Sequence, residues 1–355
     1  MKEVEVREKR LVERQRVTGQ PDMVDNLSGR NRRVIFSEMV YEITLRVKEG
    51  LPFIPNKLMN QLLKSAMAQA SHVSDMSICH YLWMSNHAHI ILVTKDPEAL
   101  TQFYGIVKKS LTDFMKRLLG VSRLNLWEGT GVHLLATAET VLDRIGYLYA
   151  NPAAANLVDK IGDYPGASSY QSFLSSNGSM DFDACESVPW VRAKYVPKLE
   201  DLRVTPKIDE SLVKRLRTKV YYTNKLQIHP NAWMKCFSAD AEQAVIWHNR
   251  AIGKVLSKEE EARKLRIKEG KTILGVKALL SQPIMSPFIP RKYQRGVFVI
   301  CEDKWKRIEI IAKVKSVQKL ARKLYLNDFR YGKDVRWPLG TLPPRAPLQA
   351  CAVGI

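Results

Sequence analysis

WMSNHAHIILVTKDP, residues 83–97, holds a polar turn, then eight residues rich in β-branched and aliphatic side chains, then a Lys-Asp-Pro stop. That pattern predicts a strand over HAHIILVT entered through a tight turn. Met76 to Leu82 before it reads as a second strand, so the two form a hairpin. Further upstream, Leu58, Leu62, Leu63 and Met67 recur at helical spacing behind Pro55, which suits a helix's first turn, and VIFSEMVYEITLRV from Val34 reads as another strand. Downstream, Phe103, Val107, Leu111, Phe114 and Leu118 form one stripe of a helix from Leu100 to Leu119. GTGVHLLAT is a further strand, and a helix runs from Glu139 to about Ala150. The order β-α-β-β-α-β-α within about 120 residues predicts an α+β fold, ferredoxin-like, with an antiparallel sheet.

The chain has 355 residues, which favours two domains over one. Residues 1–33 are charged, lack apolar periodicity and read as a flexible tail. Turn-rich sequence marks residues 176–205 as a linker between a domain over 34–175 and a basic, mostly helical extension over 206–355. The formal net charge of +20 is unevenly spread. Residues 1–199 carry 24 Lys and Arg against 21 Asp and Glu, whereas residues 200–355 carry 32 against 15. An excess of that size favours a polyanionic partner, and nucleic acid is the commonest for a soluble protein. In the extension, Ile310, Val314, Val317, Ala321 and Leu324 make an apolar stripe, while Lys313, Lys315, Lys319, Arg322 and Lys323 fill the other positions. Such a helix can lie on phosphates with its apolar face docked, although an ordinary solvated surface helix has the same pattern.

The first residues mix both charge signs without an apolar core segment, and no apolar run spans a bilayer, so the expectation is a soluble, cytoplasmic protein with no membrane partner. The five cysteines lie far apart with no C-x-x-C pair, which argues against a zinc knuckle or redox motif.

Two short segments can carry chemistry. His87 and His89 stand two apart on a strand, so their imidazoles face one side and can share a metal ion, with Ala88 turned the other way. Alone, this spacing equally fits one core and one surface histidine. YLYANP, residues 147–152, puts Tyr147 and Asn151 one helical turn apart on one face. Pro152 disfavours helical geometry at Asn151 and predicts that the helix ends there. Asn151 then either presents its amide oxygen as a ligand or caps a new helix. Tyr149 points about 200° away from Tyr147 around the helix. His133 can approach the site or simply pack.

Taken together, WMSNHAHIILVT and YLYANPAAANLV resemble the paired motifs of the REP-associated tyrosine transposases, in the HUH single-strand nuclease superfamily. The similarity covers about residues 34–175 and includes the order of the motifs and DYPGASSY, although Ser85 replaces a common proline. It implies an HUH nuclease domain in which Tyr147 is the nucleophile and His87, His89 and Asn151 bind a divalent metal, magnesium or manganese. It further implies nicking and rejoining of single-stranded DNA at hairpins of palindromic repeats through a 5′-phosphotyrosine link, by a monomer or homodimer.

A tyrosine hydroxyl ordinarily titrates at about 10 and needs help to act as a nucleophile. A divalent cation beside the scissile phosphate would supply it by offsetting charge and orienting the attack. The runner-up reading is a domesticated protein that binds repeat hairpins without cleaving them.

Overall fold

A computed structural model describes residues 33–199, 214, 222–288 and 298–344. The expected tail, the end of the linker and the start of the basic extension lie outside the described residues. The first elements are strand β1 (Met39–Arg46), helix α1 (Lys57–Ser74), strands β2 (Ser77–Trp83) and β3 (His87–Thr94), helix α2 (Pro97–Leu119), strand β4 (Gly131–Leu135) and helix α3 (Ala138–Ala154). This is the expected order.

Local chemistry sets the boundaries. Asn56 caps α1 by accepting from the Met59 N–H. Asp96 does the same for α2 through the Ala99 N–H, with Pro97 at the first helical position, and Gly120 ends α2 at a φ of 69°. β1 starts later than the sequence suggests, because Glu38 adopts a φ of 55° and breaks the strand before Met39.

β3 lies between β2 and β1, antiparallel to both, and β4 pairs antiparallel with the other edge of β1. Strand alternation sends the two faces of this sheet to different helices. Tyr41, Ile43, Leu45, Ile90, Leu92, Val132 and Leu134 join α1 and α2 in one core. Val40, Leu82, Ile91 and Leu135 join α3 in the other.

The later chain adds α4 (Tyr170–Ser175), β5 (Ala184–Pro189), β6 (Thr223–Ile228), α5 (Ala241–Lys268), α6 (Val276–Ser281), β7 (Val299–Ile300) and α7 (Lys304–Asn327). Its strands extend the same sheet, giving seven in the order β5-β6-β2-β3-β1-β4-β7. The sheet is mixed rather than antiparallel throughout, because β6 joins β2 and β7 joins β4 in parallel. Polar TNKLQI and the two-residue β7 carry almost no strand signature of their own; pairing to a formed edge makes them strands.

α5 lies along α3. Ala244, Ala251 and Val255 are buried in the α3 core, Arg250 and Lys254 bind Glu139, and Lys254 also binds Asp143. Gly146 permits the close approach: a Cβ there would come within 3.0 Å of the Lys254 Cβ and 3.3 Å of its backbone. The start of α3 is tied down as well, because the Glu302 carboxylate accepts from the hydroxyls of Thr137 and Thr140. Among the described residues, no helix is long and apolar enough to cross a membrane.

Candidate active site

The face of the sheet under α3 carries a row of polar side chains in an otherwise apolar layer. Cross-strand partners share a face, and His89 pairs with Thr44 while His87 pairs with Arg46. Two residues along β1 from Thr44, on that same face, stands Glu42, fully buried. α3 crosses above, with Arg144, Tyr147 and Asn151 at spacings of three and four on one side of the helix.

The sequence-predicted residues meet here. The His87 and His89 rings lie 5.1 Å apart between centroids, and the Tyr147 ring stands edge-on to His89 at 5.5 Å. Asn151 places its side-chain amide 3.4 Å from His87 Nε2. Tyr147 is 39 % exposed, so a ligand in solvent can reach it. Tyr149 points into the core instead, where its hydroxyl meets Ser169 and His80.

Asn151 is not at a helix boundary. α3 continues through Pro152 to Ala154. The ring costs one backbone hydrogen bond, to the Leu148 carbonyl, but only two helical residues follow it. Burial of Leu148, Tyr149, Pro152 and Ala153 holds the last turn. Asn151 therefore keeps a helical position one turn beyond Tyr147.

The hydrogen bonds of the two histidines follow from their neighbours. A carboxylate only accepts, so His89 donates its Nδ1–H to Glu42, at 2.7 Å, and its Nε2 is the nitrogen left for another partner. That Nε2 is buried and meets no polar partner among the described residues. His87 Nδ1 contacts the Asn86 side-chain oxygen at 2.7 Å, which likewise leaves the Nε2 lone pair facing Asn151. Burial, then the neighbouring His89 and Arg46, push His87 well below the usual imidazole range and keep it neutral.

Two imidazoles, each with its Nδ1 already engaged, and one amide fit a divalent cation, once the Asn151 amide turns its oxygen inward. Among the described residues, no group of three His, Cys, Asp or Glu side chains is placed to hold a metal.

Two charged residues of the site carry no signal that the sequence motifs reveal. Glu42 accepts from Arg144 Nε at 2.7 Å and Nη2 at 2.8 Å in addition to His89. Burial pushes its carboxyl up, but hydrogen bonding and charge from His89 and Arg144 outweigh this and hold it at about 2. The Arg144 guanidinium in turn sits 4.2 Å from the centre of the Tyr147 ring. A carboxylate within the apolar alternation of MVYEITLR is the one hint that could have flagged Glu42.

His133 on β4 pairs with Glu42 across the sheet and so shares this face, one strand further out. Its ring lies over Gly131, where a Cβ would come within 2.9 Å of His133 Nε2. Trp127 packs between elements, stacked on Phe53 and donating to Thr112 and the Lys108 carbonyl.

On α7, Lys313, Lys315, Lys319, Arg322 and Lys323 are exposed, while Val314 and Ala321 are buried and Ile310 packs on the sheet core. Lys313 lies over the Phe36 ring at 5.1 Å.

No protein-family model matches the chain, and no curated protein matches it. Among solved structures, a REP-associated tyrosine transposase bound to a REP hairpin is similar at a TM-score of 0.36 and 16 % sequence identity, over 41 % of this chain and 85 % of that one. A similarity of that size identifies neither the family nor the activity of this chain.

Proposed function

We propose that the protein is a metal-dependent, transposase-type enzyme that nicks and rejoins single-stranded DNA at hairpin or palindromic repeats. In this reading β1 to β4 with α1 and α2 form a ferredoxin-like HUH nuclease layer, and α3 brings the nucleophile to it. The carrying observation is the meeting of Tyr147, His89, His87 and Asn151 from two elements far apart in sequence, around a buried His89 Nε2 with no polar partner among the described residues. The extended likeness of the two motifs to those of tyrosine transposases supports the same reading.

His87, His89 and Asn151 would hold the divalent cation, magnesium or manganese. When bound, it would offset phosphate charge and orient the phosphorus for in-line attack. Tyr147 supplies the hydroxyl: its oxygen bonds to phosphorus, the bond from phosphorus to the 3′-oxygen breaks, and the phenolic proton passes to solvent. The departing 3′-oxygen takes up a proton to leave a free 3′-hydroxyl. Attack by another 3′-hydroxyl reverses these steps, so joining needs no further energy source. Lys313, Lys315, Lys319, Arg322 and Lys323 would hold the stem phosphates.

The test is covalent capture. Full-length protein is incubated with end-labelled hairpin DNA and Mn²⁺ or Mg²⁺, then run on a denaturing gel. A labelled protein adduct that depends on metal and disappears in Tyr147→Phe is expected. Tight binding without any adduct would sink the enzyme reading and leave a non-cleaving hairpin binder, and an adduct that survives Tyr147→Phe would move the nucleophile elsewhere.

A further inference from the structure

Tyr147 is exposed, and an exposed tyrosine on a helix ordinarily samples several rotamers. Here its ring has a fixed partner on each of two sides: the edge contact with His89 and the Arg144 guanidinium, whose Cζ lies 4.2 Å from the ring centre. Exposed cation–π contacts usually involve a mobile cation and contribute little. Arg144 differs, because both arms of a fork, Nε and Nη2, are bound to the fully buried Glu42 at 2.7 and 2.8 Å. The Glu42 oxygen that takes Nη2 also takes His89 Nδ1, at 2.7 Å.

We propose that Arg144 is a positioning residue for Tyr147, and that Glu42 is the common anchor that sets both the tyrosine ring and the His89 imidazole. The inference rests on Tyr147 being the nucleophile. One buried carboxylate on β1 then fixes the distance between the nucleophile helix and the metal-binding strand. Arginine is needed for geometry as well as charge: a lysine can reach Glu42 but offers neither the fork nor a flat surface for the ring. Positioning of this kind acts on the reaction step more than on DNA binding.

The experiment places 3-fluorotyrosine at position 147 of the full-length protein and records its ¹⁹F resonance without metal or DNA. Arg144→Lys is expected to shift and broaden the resonance, because the ring loses its bed, and Glu42→Gln to do the same. Lys254→Ala, on α5 where it packs against another side of α3, is expected to leave it in place. A resonance unchanged by Arg144→Lys overturns the proposal, and that variant decides alone if Glu42→Gln does not fold.

A second measurement reads adduct formation. At saturating hairpin, Arg144→Lys is expected to slow the reaction by about tenfold while the Kd for DNA stays within about twofold. Unchanged rate with weakened binding overturns the proposal and makes Arg144 a DNA contact. If wild-type protein forms no adduct, the nuclease reading falls, and the ¹⁹F result still rules on whether Arg144 holds the ring.

Discussion

The side-chain amide of Asn151 lies 3.4 Å from Nε2 of His87, across 64 residues of sequence. With His87 Nδ1 committed to Asn86, the Nε2 lone pair and the amide face each other, so either a hydrogen bond or a shared cation can occupy that gap. A third donor on the nucleophile helix distinguishes the two. Asn151→Ala is expected to weaken Mn²⁺ binding about tenfold or more by calorimetry, and Asn151→Asp to strengthen it by adding a charged oxygen. Equal affinity in all three proteins would remove Asn151 from the ligand set.

The α3 to α5 contact depends on Gly146. Any side chain there meets Lys254 Cβ at 3.0 Å and its backbone carbonyl at 3.3 Å, so the helices must part. Gly146→Val is expected to cost about 1–3 kcal/mol by overpacking, partly offset because glycine is a poor helix former. Urea unfolding measures it, and a fully neutral substitution would show that α5 yields freely.

These two contacts mark what a sequence can and cannot carry. The faces of β3 and α3 follow from periods of two and 3.6, so the pairing of His87 with His89 and of Tyr147 with Asn151 is legible from local spacing alone. Pro152 misleads, because its local penalty is visible in sequence whereas the burial that outweighs it is not. Glu42 and Arg144 stay hidden for a related reason. Each looks like an ordinary charge, and their meaning arises only from a contact between elements 102 residues apart. β6 and β7 leave no trace in the sequence because edge pairing, not composition, makes them strands. Helix α7 is legible because the stripe from Ile310 to Leu324 rests on local spacing.

His80 gives the fold an acid sensitivity. It is fully buried beside Tyr149 and Phe173, and burial, with smaller help from His248, lowers it from 6.5 to about 3. The unfolded chain therefore binds a proton below 6.5 that the native state refuses until about 3. Stability is expected to fall as pH drops through that window, by up to about 1.4 kcal/mol per unit from this residue. His248 is shifted the same way and adds to it. Urea midpoints between pH 7 and 4 check this: His80→Gln, though less stable at pH 7, should show a shallower slope, and an unaltered slope would assign the acid sensitivity to other groups.

Lys315 and Lys319 stand four apart and exposed on α7, which is pinned by Val314 and Ala321. Residues so placed can meet successive phosphates without disturbing the core, and each phosphate neutralised releases counterion from the DNA. The slope of log K against log salt for hairpin binding is thus expected to become shallower by about one for each lysine removed. Lys315→Ala with Lys319→Ala should lower the slope by about two and weaken all hairpins alike, because phosphate contacts carry no sequence information. Loss confined to one hairpin sequence would instead mean that α7 reads bases. An unchanged slope would place the DNA on another surface, leaving the lysines of α7 as a solvated face.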